Sequence, residues 1–361
     1  MSSVYHAALA FFPKLSYRRY KKLVAYFINF KDVWLSTAGD LIKAGLEPDF
    51  VQEFLKWRNE KPLDYYLDVL EKENITTVSL PDADYPKILK EIADPPHTLF
   101  VRGCLPNQSL PALAVVGTRK STSYGRQICE DIVEPLARQG MVIVSGMALG
   151  IDGIAHQTAL RAGGLTVAVL GSGVDRQSIY PAAHRQLSEK IISSGGAVIS
   201  EYPPGFMPTQ YSFPERNRII AGLASGTLVV EAPVESGALI TAKCALDYNR
   251  DVLAIPHQAT SAYGAGANNL LKMGARPVTC AEDILDAFNL KNLPETIHNR
   301  STLPLLPNEE KIVSVLSREP KHVDQIIKEI LLDSATANSS LTMLEMKGII
   351  KNLGGMMYIR K

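Results

Sequence analysis

The sequence predicts an α/β fold centred on a parallel sheet with helices on both faces. Three observations lead there. From Leu113 onward, short apolar runs alternate with glycine or polar turns and amphipathic helices about six times. Each run is too short and too uniformly apolar to be a strand with one face in water. A helix-length segment separates each run from the next, so successive strands run parallel with right-handed crossovers.

At 361 residues the chain holds more than one domain. Residues 1–72 read as short helices at 17–30, 38–44 and 48–59, with Leu23, Phe27 and Phe30 at helical spacing. Strand-like ITTVSL (75–80) and TLFVRG (98–103) then flank a short helix around 86–92. The six core strands are expected at 113–117, 141–146, 166–171, 197–201, 227–232 and 252–256. Prolines and polar residues after Phe288 look like a linker. The rest is helical and ends in GGMMYIR, a glycine turn before a strand. The expected domains are therefore an N-terminal helical domain (1–72), a core (73–290), a linker (291–306) and a C-terminal domain (307–361).

Composition excludes several classes. Hydrophobic residues make up 46% and charged residues 21%, which rules out a largely disordered chain. The four cysteines, Cys104, Cys129, Cys244 and Cys280, form no CxxC pair, so neither a zinc site nor a disulfide framework is expected, and reduced cytoplasm fits best. No apolar run is long enough to span a membrane, and the short apolar AALAFF lacks the basic flank of a signal peptide. With 38 lysines and arginines against 37 acids the net charge is +1, which argues against a broad basic face for duplex DNA. The core segment 111–290 holds 14 basic and 15 acidic residues, so any positive site must be local.

In an open parallel sheet ligands bind at the carboxyl ends of the strands, and the unusual residues fall there. GTRKSTSYGR (117–126) carries Arg119, Lys120 and Arg126, and residues 111–129 contain no acid. Gly117 allows close backbone approach, Thr118 and Ser123 offer hydroxyls, and the following helix would aim free amides outward, a combination that binds phosphate. A solvated turn with a serine cap is the alternative. SGMALGIDGIAH (145–156) brings Ser145 and Gly146 to a strand-to-helix turn, but its glycine spacing is not that of a dinucleotide fingerprint. There Asp152 and His156 could form an acid–base pair, or a first-turn Asp hydrogen-bonded to a helical His. Ser236 and Gly237 lie at an expected helix N-terminus, where an anion site and a simple cap fit equally.

FPERNRIIAG (213–222) sets Arg216, Asn217 and Arg218 beside Phe213, offering charge for phosphates and a ring for an unpaired base. An internal salt bridge from Arg216 to Glu215 or Glu201 is the structural alternative. Phosphate-loop, HExxH and GxSxG motifs are absent, and the seven histidines are scattered, so no catalytic residue, cofactor or metal is expected.

AVVGTRKSTSYG, SGMALGIDGIAH, TVAVLGSGVDRQSIYP, VISEYPPG, FPERNRIIAGL, SGALITAKCAL and GANNLLKMGA, in this order, closely resemble the DNA-processing protein A family, DprA or Smf. The resemblance implies an extended Rossmann-like core, a small N-terminal helical domain of SAM or helix-hairpin-helix type, and a C-terminal winged helix. It implies a non-catalytic protein that binds and protects single-stranded DNA during natural transformation and helps load RecA recombinase. It also implies a homodimer through the helix holding Asn268, Asn269, Leu270, Leu271 and Met273. Carried over residue by residue, Gly117, Thr118 and Arg119 match the family's phosphate-gripping turn, and Arg216, Asn217 and Arg218 its basic signature. Two departures stand out. Ala182 follows Tyr180 and Pro181 where the family often has a basic residue, shifting weight to Arg176 or Arg185. PKLS (13–16) lacks the glycines of a PGIG-type hairpin. The expected recognition helix, 334–346, has no lysine or arginine, so duplex reading is not expected of it.

An enzyme on a related sheet, a nucleotide phosphoribohydrolase, is the alternative. Gly226, Thr227 and Glu231 weakly resemble its phosphate loop and carboxylate, although its PGGxGTxxE block is absent.

Overall fold

The structure is a computed structural model that describes residues 4–290, 306–317, 319–330, 332–347 and 349–360. It divides into two compact units, residues 1–296 and 297–361. The expected linker at 291–306 lies almost wholly outside the described residues.

Six helices open the first unit: α1 (Val4–Leu9), α2 (Tyr17–Tyr26), α3 (Phe30–Leu35), α4 (Ala38–Lys43), α5 (Pro48–Glu60) and α6 (Leu63–Lys72). The single helix expected over 17–30 is two. Phe27 turns to extended backbone, and Asn29 caps α3 by accepting from the Asp32 amide at 2.9 Å. An Asn cap satisfies a helix start better than a helix interior would use it. These helices share one compact unit with the sheet. Phe11 meets Phe100 edge-on at 5.4 Å, and His6 Nε2 lies 3.2 Å from Thr98 Oγ1.

The sheet unit continues with β1 (Thr76–Ser79), α7 (Lys87–Lys90), β2 (Thr98–Gly103), β3 (Ala112–Val116), α8 (Ser123–Arg138), β4 (Val142–Ser145), α9 (Ile151–Arg161), β5 (Thr166–Val169), α10 (Arg185–Ser193), β6 (Ala197–Ser200) and α11 (Ser212–Gly222). It closes with β7 (Gly226–Val229), α12 (Ala238–Asp247), β8 (Asp251–Ala254), α13 (Ala265–Lys272), β9 (Arg276–Pro277) and α14 (Ala281–Ala287). All six expected core strands are present. They form one nine-stranded sheet in the order β1-β2-β6-β5-β4-β3-β7-β8-β9.

The sheet is not wholly parallel. β2 pairs antiparallel with β6, and β1 antiparallel with β2. In β2, Leu99, Phe100 and Val101 are all buried, so its apolar run resembles the parallel strands and gives no hint of direction. Alternate residues feed opposite faces. Ala114, Val116, Val142 and Val144 pack with Ile219, Ala242 and Ala267, while Leu113, Val115 and Ile143 pack with Ile132, Ile154 and Ile284.

One topological fact positions the site. The chain leaves β3 for β4 on one side and returns to the other side of β3 at β7, both pairings parallel. Loops after β3 and β7 therefore diverge and open a crevice at the carboxyl edge, where open α/β sheets place ligands.

The second unit contains α15 (Pro307–Val315), β10 (Lys321–His322), α16 (Val323–Ile330), α17 (Ser334–Met346), β11 (Ile350–Asn352) and β12 (Met357–Arg360), with its three strands in the order β10-β12-β11. Gly354 and Gly355 both take positive φ in the β11–β12 turn, a conformation that glycine adopts without strain. That turn is the expected wing.

Candidate functional site

A cleft of about 680 Å³ occupies the crevice, lined among others by Thr118, Arg119, Lys120, Phe213, Asn217 and Ser236. Arg119 and Lys120 are exposed at the tip of the β3 loop, and Arg126 is exposed on the first turns of α8. Among the described residues none of the three is ion-paired. The Arg119 guanidinium lies over the Phe213 ring, 5.3 Å from its centroid. Phe213 in turn meets Tyr180, with ring centroids 5.7 Å apart and planes tilted by 48°. Cations without counter-charges beside a flat ring can hold a phosphate and a planar ring together.

Beneath this layer part of the expected phosphate cradle is taken by the chain itself. Glu231, 1% exposed, accepts from the Thr122 amide at 2.8 Å and the Thr122 hydroxyl at 2.7 Å. Thr122 Oγ1 accepts from the Gly125 amide at 3.0 Å, capping α8. At the α8 N-terminus the Thr122 and Gly125 amides thus meet the chain's own carboxylate and cap. Glycine at 125 is required there, since a Cβ would sit 2.3 Å from a Glu231 carboxylate oxygen. Gly117 serves protein packing in the same way, its Cβ position being 2.5 Å from Ile151.

The β4 loop repeats the device. Asp152 accepts from the amides of Gly146 and Ala148 at 3.1 and 3.4 Å. Burial pushes its carboxyl above the usual range, opposed chiefly by the Arg216 charge. His156 does not pair with Asp152. Its Nδ1 lies 2.7 Å from Thr166 Oγ1, and burial holds the ring neutral, at about 3. Neither the acid–base pair nor the local Asp–His bond forms, because Asp152 turns back to the loop and His156 into the sheet.

The RNR segment is internal. Arg216 is 4% exposed, and its Nη1 donates to the carbonyls of Gly146, at 2.6 Å, and Val169. Burial lowers its pKa to about 10 against support from Asp152. The expected bridge from Arg216 to Glu215 or Glu201 is absent. Arg218 takes Glu201 at 2.6 Å and Asp94 at 3.1 Å, while Glu215 accepts from the Tyr202 hydroxyl at 2.6 Å. Helical spacing explains the exchange, since residues two apart point to different sides of α11. Asn217 donates to the Gly237 carbonyl at 3.3 Å, tying α11 to the start of α12.

The remaining expected residues divide the same way. Ser145 is buried, its hydroxyl donating to the Val115 carbonyl at 2.6 Å, and Thr118 is held by its amide to the Glu231 carbonyl at 2.7 Å. Ser123 and Gly237 are exposed, and Ser236 caps α12 by accepting from the Ala238 amide at 3.3 Å. On α13, Asn269 and Met273 face outward and Leu271 is half-buried. Asn268 is turned inward, its amide bonded to the backbone N–H and carbonyl of His257, and Leu270 is packed in the core.

A family pattern described as DNA recombination-mediator protein A matches residues 76–289. The chain belongs to this family. The DprA winged helix domain pattern matches residues 298–356, the second unit. Protein Smf of Escherichia coli K12 is 37% identical over 89% of this chain and 87% of its own. Protein Smf of Synechocystis is 32% identical over 94% of each. The DprA structure from Streptococcus pneumoniae aligns with a TM-score of 0.67 at 34% identity, covering 79% of this chain and 98% of that one. DNA processing protein A from Helicobacter pylori, described for its unique single-stranded DNA binding mode, aligns with a TM-score of 0.52 at 29% identity over 60% of this chain and 95% of that one.

Within this recombination-mediator family frame, the geometry bears on the hydrolase alternative. Glu231, the carboxylate that alternative would employ, has both oxygens bonded to Thr122. Among the described residues no cluster of His, Cys, Asp and Glu is placed to hold a metal, and no helix is long and apolar enough to cross a membrane. Sequence reasoning missed Asp152 and Glu231 as internal anions. Glu231 closes the apolar run TLVV at the end of β7, and that lone acid is the signal the sequence carries.

Proposed function

We propose that the cleft holds single-stranded DNA, and that the protein protects that strand and helps load RecA recombinase onto it without cutting it. The observation that carries this reading is Arg119 resting on Phe213 in the cleft, with Lys120 lining the same cleft and, among the described residues, carrying no counter-charge. A single strand presents phosphates and unpaired ring faces in one repeat, whereas a duplex hides its rings. The Helicobacter pylori relative is described by its single-stranded DNA binding mode and shares the fold, which supports the same ligand here.

In this reading Arg119, Lys120, Ser123, Arg126 and Phe213 meet the strand, with Ser236 and Gly237 on the opposite lip. Gly117, Thr118, Ser145, Gly146, Arg216, Asn217 and Arg218 hold those groups in place. Self-association uses the outer face of α13 through Asn269, Leu271 and Met273, with Asn268 and Leu270 supporting it from inside. Met273, 77% exposed, offers that face an apolar side chain to pair.

A band-shift titration of single-stranded against duplex oligonucleotides at two salt concentrations tests the site. The expected result is a preference for single strands that weakens with salt and is lost in large part with Arg119→Ala. Equal affinity for both forms, unaffected by Arg119→Ala, would overturn it. Met273→Glu with sedimentation of the full chain tests the dimer.

A further inference from the structure

We infer that Tyr180 is a second base-stacking shelf, and that a bound strand leaves Phe213 across the β5 loop toward Arg176 and Arg185. This rests on the single-strand reading of the cleft. Tyr180 is 48% exposed, and its ring neighbours Phe213 at 5.7 Å, an offset that lets two consecutive unstacked bases use the two rings in turn. Arg119 covers Phe213, so Arg119, Phe213 and Tyr180 form one continuous series.

Charge selects this exit over the others. Across the cleft, on the α12 side, Glu235 is exposed and lines the wall. Toward the 202–206 loop, Tyr202 stacks on Phe206 at 4.3 Å and donates its hydroxyl to exposed Glu215, so those rings face each other beside a carboxylate. Phosphates crossing either side meet negative charge. Among the described residues the β5 loop exposes no carboxylate. Buried Asp175 accepts from Ser178 and from the Gly205 amide, and nearby Glu189 is paired with Arg102. Arg176 and Arg185 are exposed there and, among the described residues, carry no carboxylate partner. Arg185 is steadied by donating to the Gln177 carbonyl at 2.9 Å. An exposed ring in a loop that also carries two exposed cations offers a stacking face and charge for phosphates.

The test uses the full chain and oligothymidylates carrying 2-aminopurine at successive positions. Affinity should follow ring size at position 180, with Tyr180→Ala weakening binding about tenfold and Tyr180→Trp tightening it. Tyr180→Ala should also release fluorescence quenching at one position while leaving its neighbour quenched. Arg176→Ala with Arg185→Ala should weaken long oligonucleotides more than those too short to reach the loop. Wild-type affinity in Tyr180→Ala, or quenching unchanged at every position, would overturn the inference while Arg119→Ala still weakened binding. If the wild type itself failed to bind single strands, the underlying reading would fall instead. Thermal melts of each variant keep misfolding distinguishable, and a half-exposed ring is not expected to carry the fold.

Discussion

The loop after β3 and the first turns of α11 carry nearly the same residue types, and the fold uses them in opposite ways. Arg119, Lys120 and Arg126 stand at the surface without counter-charges, while Arg216 and Arg218 are enclosed by carbonyls and carboxylates. The difference teaches that a basic signature does not announce its partner. On a strand-to-helix loop a guanidinium escapes to water, and on a helix packed against the sheet it is captured by the sheet's own carbonyl edge. Two such regions can be equally necessary to a function while only one touches the ligand.

The comparison breaks most sharply on stability. Arg216→Ala should cost about 3 kcal/mol, because it leaves the Gly146 and Val169 carbonyls and the buried Asp152 without their partner. Chemical denaturation measures this, and a loss under 1 kcal/mol would return Arg216 to the ligand-binding set.

Acid should act on the enclosed layer and not on the exposed one. His6 and His156 are buried, with pKa values held at about 3 by burial. Unfolded, each takes up a proton below about 6.5, so the unfolded chain binds more protons throughout the window from there down to 3. Stability is therefore full above pH 6.5 and falls with pH in that window, by about 1.4 kcal/mol per unit for each histidine. Melting temperatures at pH 7 and pH 5 check it, and His156→Gln should flatten part of the slope.

Arg119→Ala should leave the melting temperature in place and weaken single-strand binding about tenfold, reducing the slope of log affinity against log salt by about one. A matched fall in stability would erase the contrast between the two regions. The smallest effect belongs to Lys120→Ala, about threefold in affinity, since a lone flexible ammonium contributes charge without the fork or the ring contact of Arg119.

Much of this was legible beforehand. Runs such as LAVVG and TVAVLG announce buried parallel strands, and GGMMYIR announces a turn and a strand. β2 was found but not its direction, because Leu99, Phe100 and Val101 are buried on both faces whichever way the strand runs. The residues singled out for the site divide by depth in a way the sequence does not show. Nothing in RNR says that Arg216 reaches back to Gly146, seventy positions earlier, or that Glu231 sits under Thr122. Those are distances between loops, set by the strand order, and a linear reading carries no measure of them.

The two internal carboxylates also determine what the crevice ignores. Sheets of this architecture commonly welcome small phosphorylated metabolites, whose terminal phosphate needs a ring of bare amides. Here Glu231 and Asp152 already occupy the amides of Thr122, Gly146 and Ala148. On the single-strand reading, a lone nucleotide would make the contacts of one link of the polymer without the polymer's many repeats. On that reading, retention would then depend on chain length, and free mononucleotides would compete poorly for the same opening.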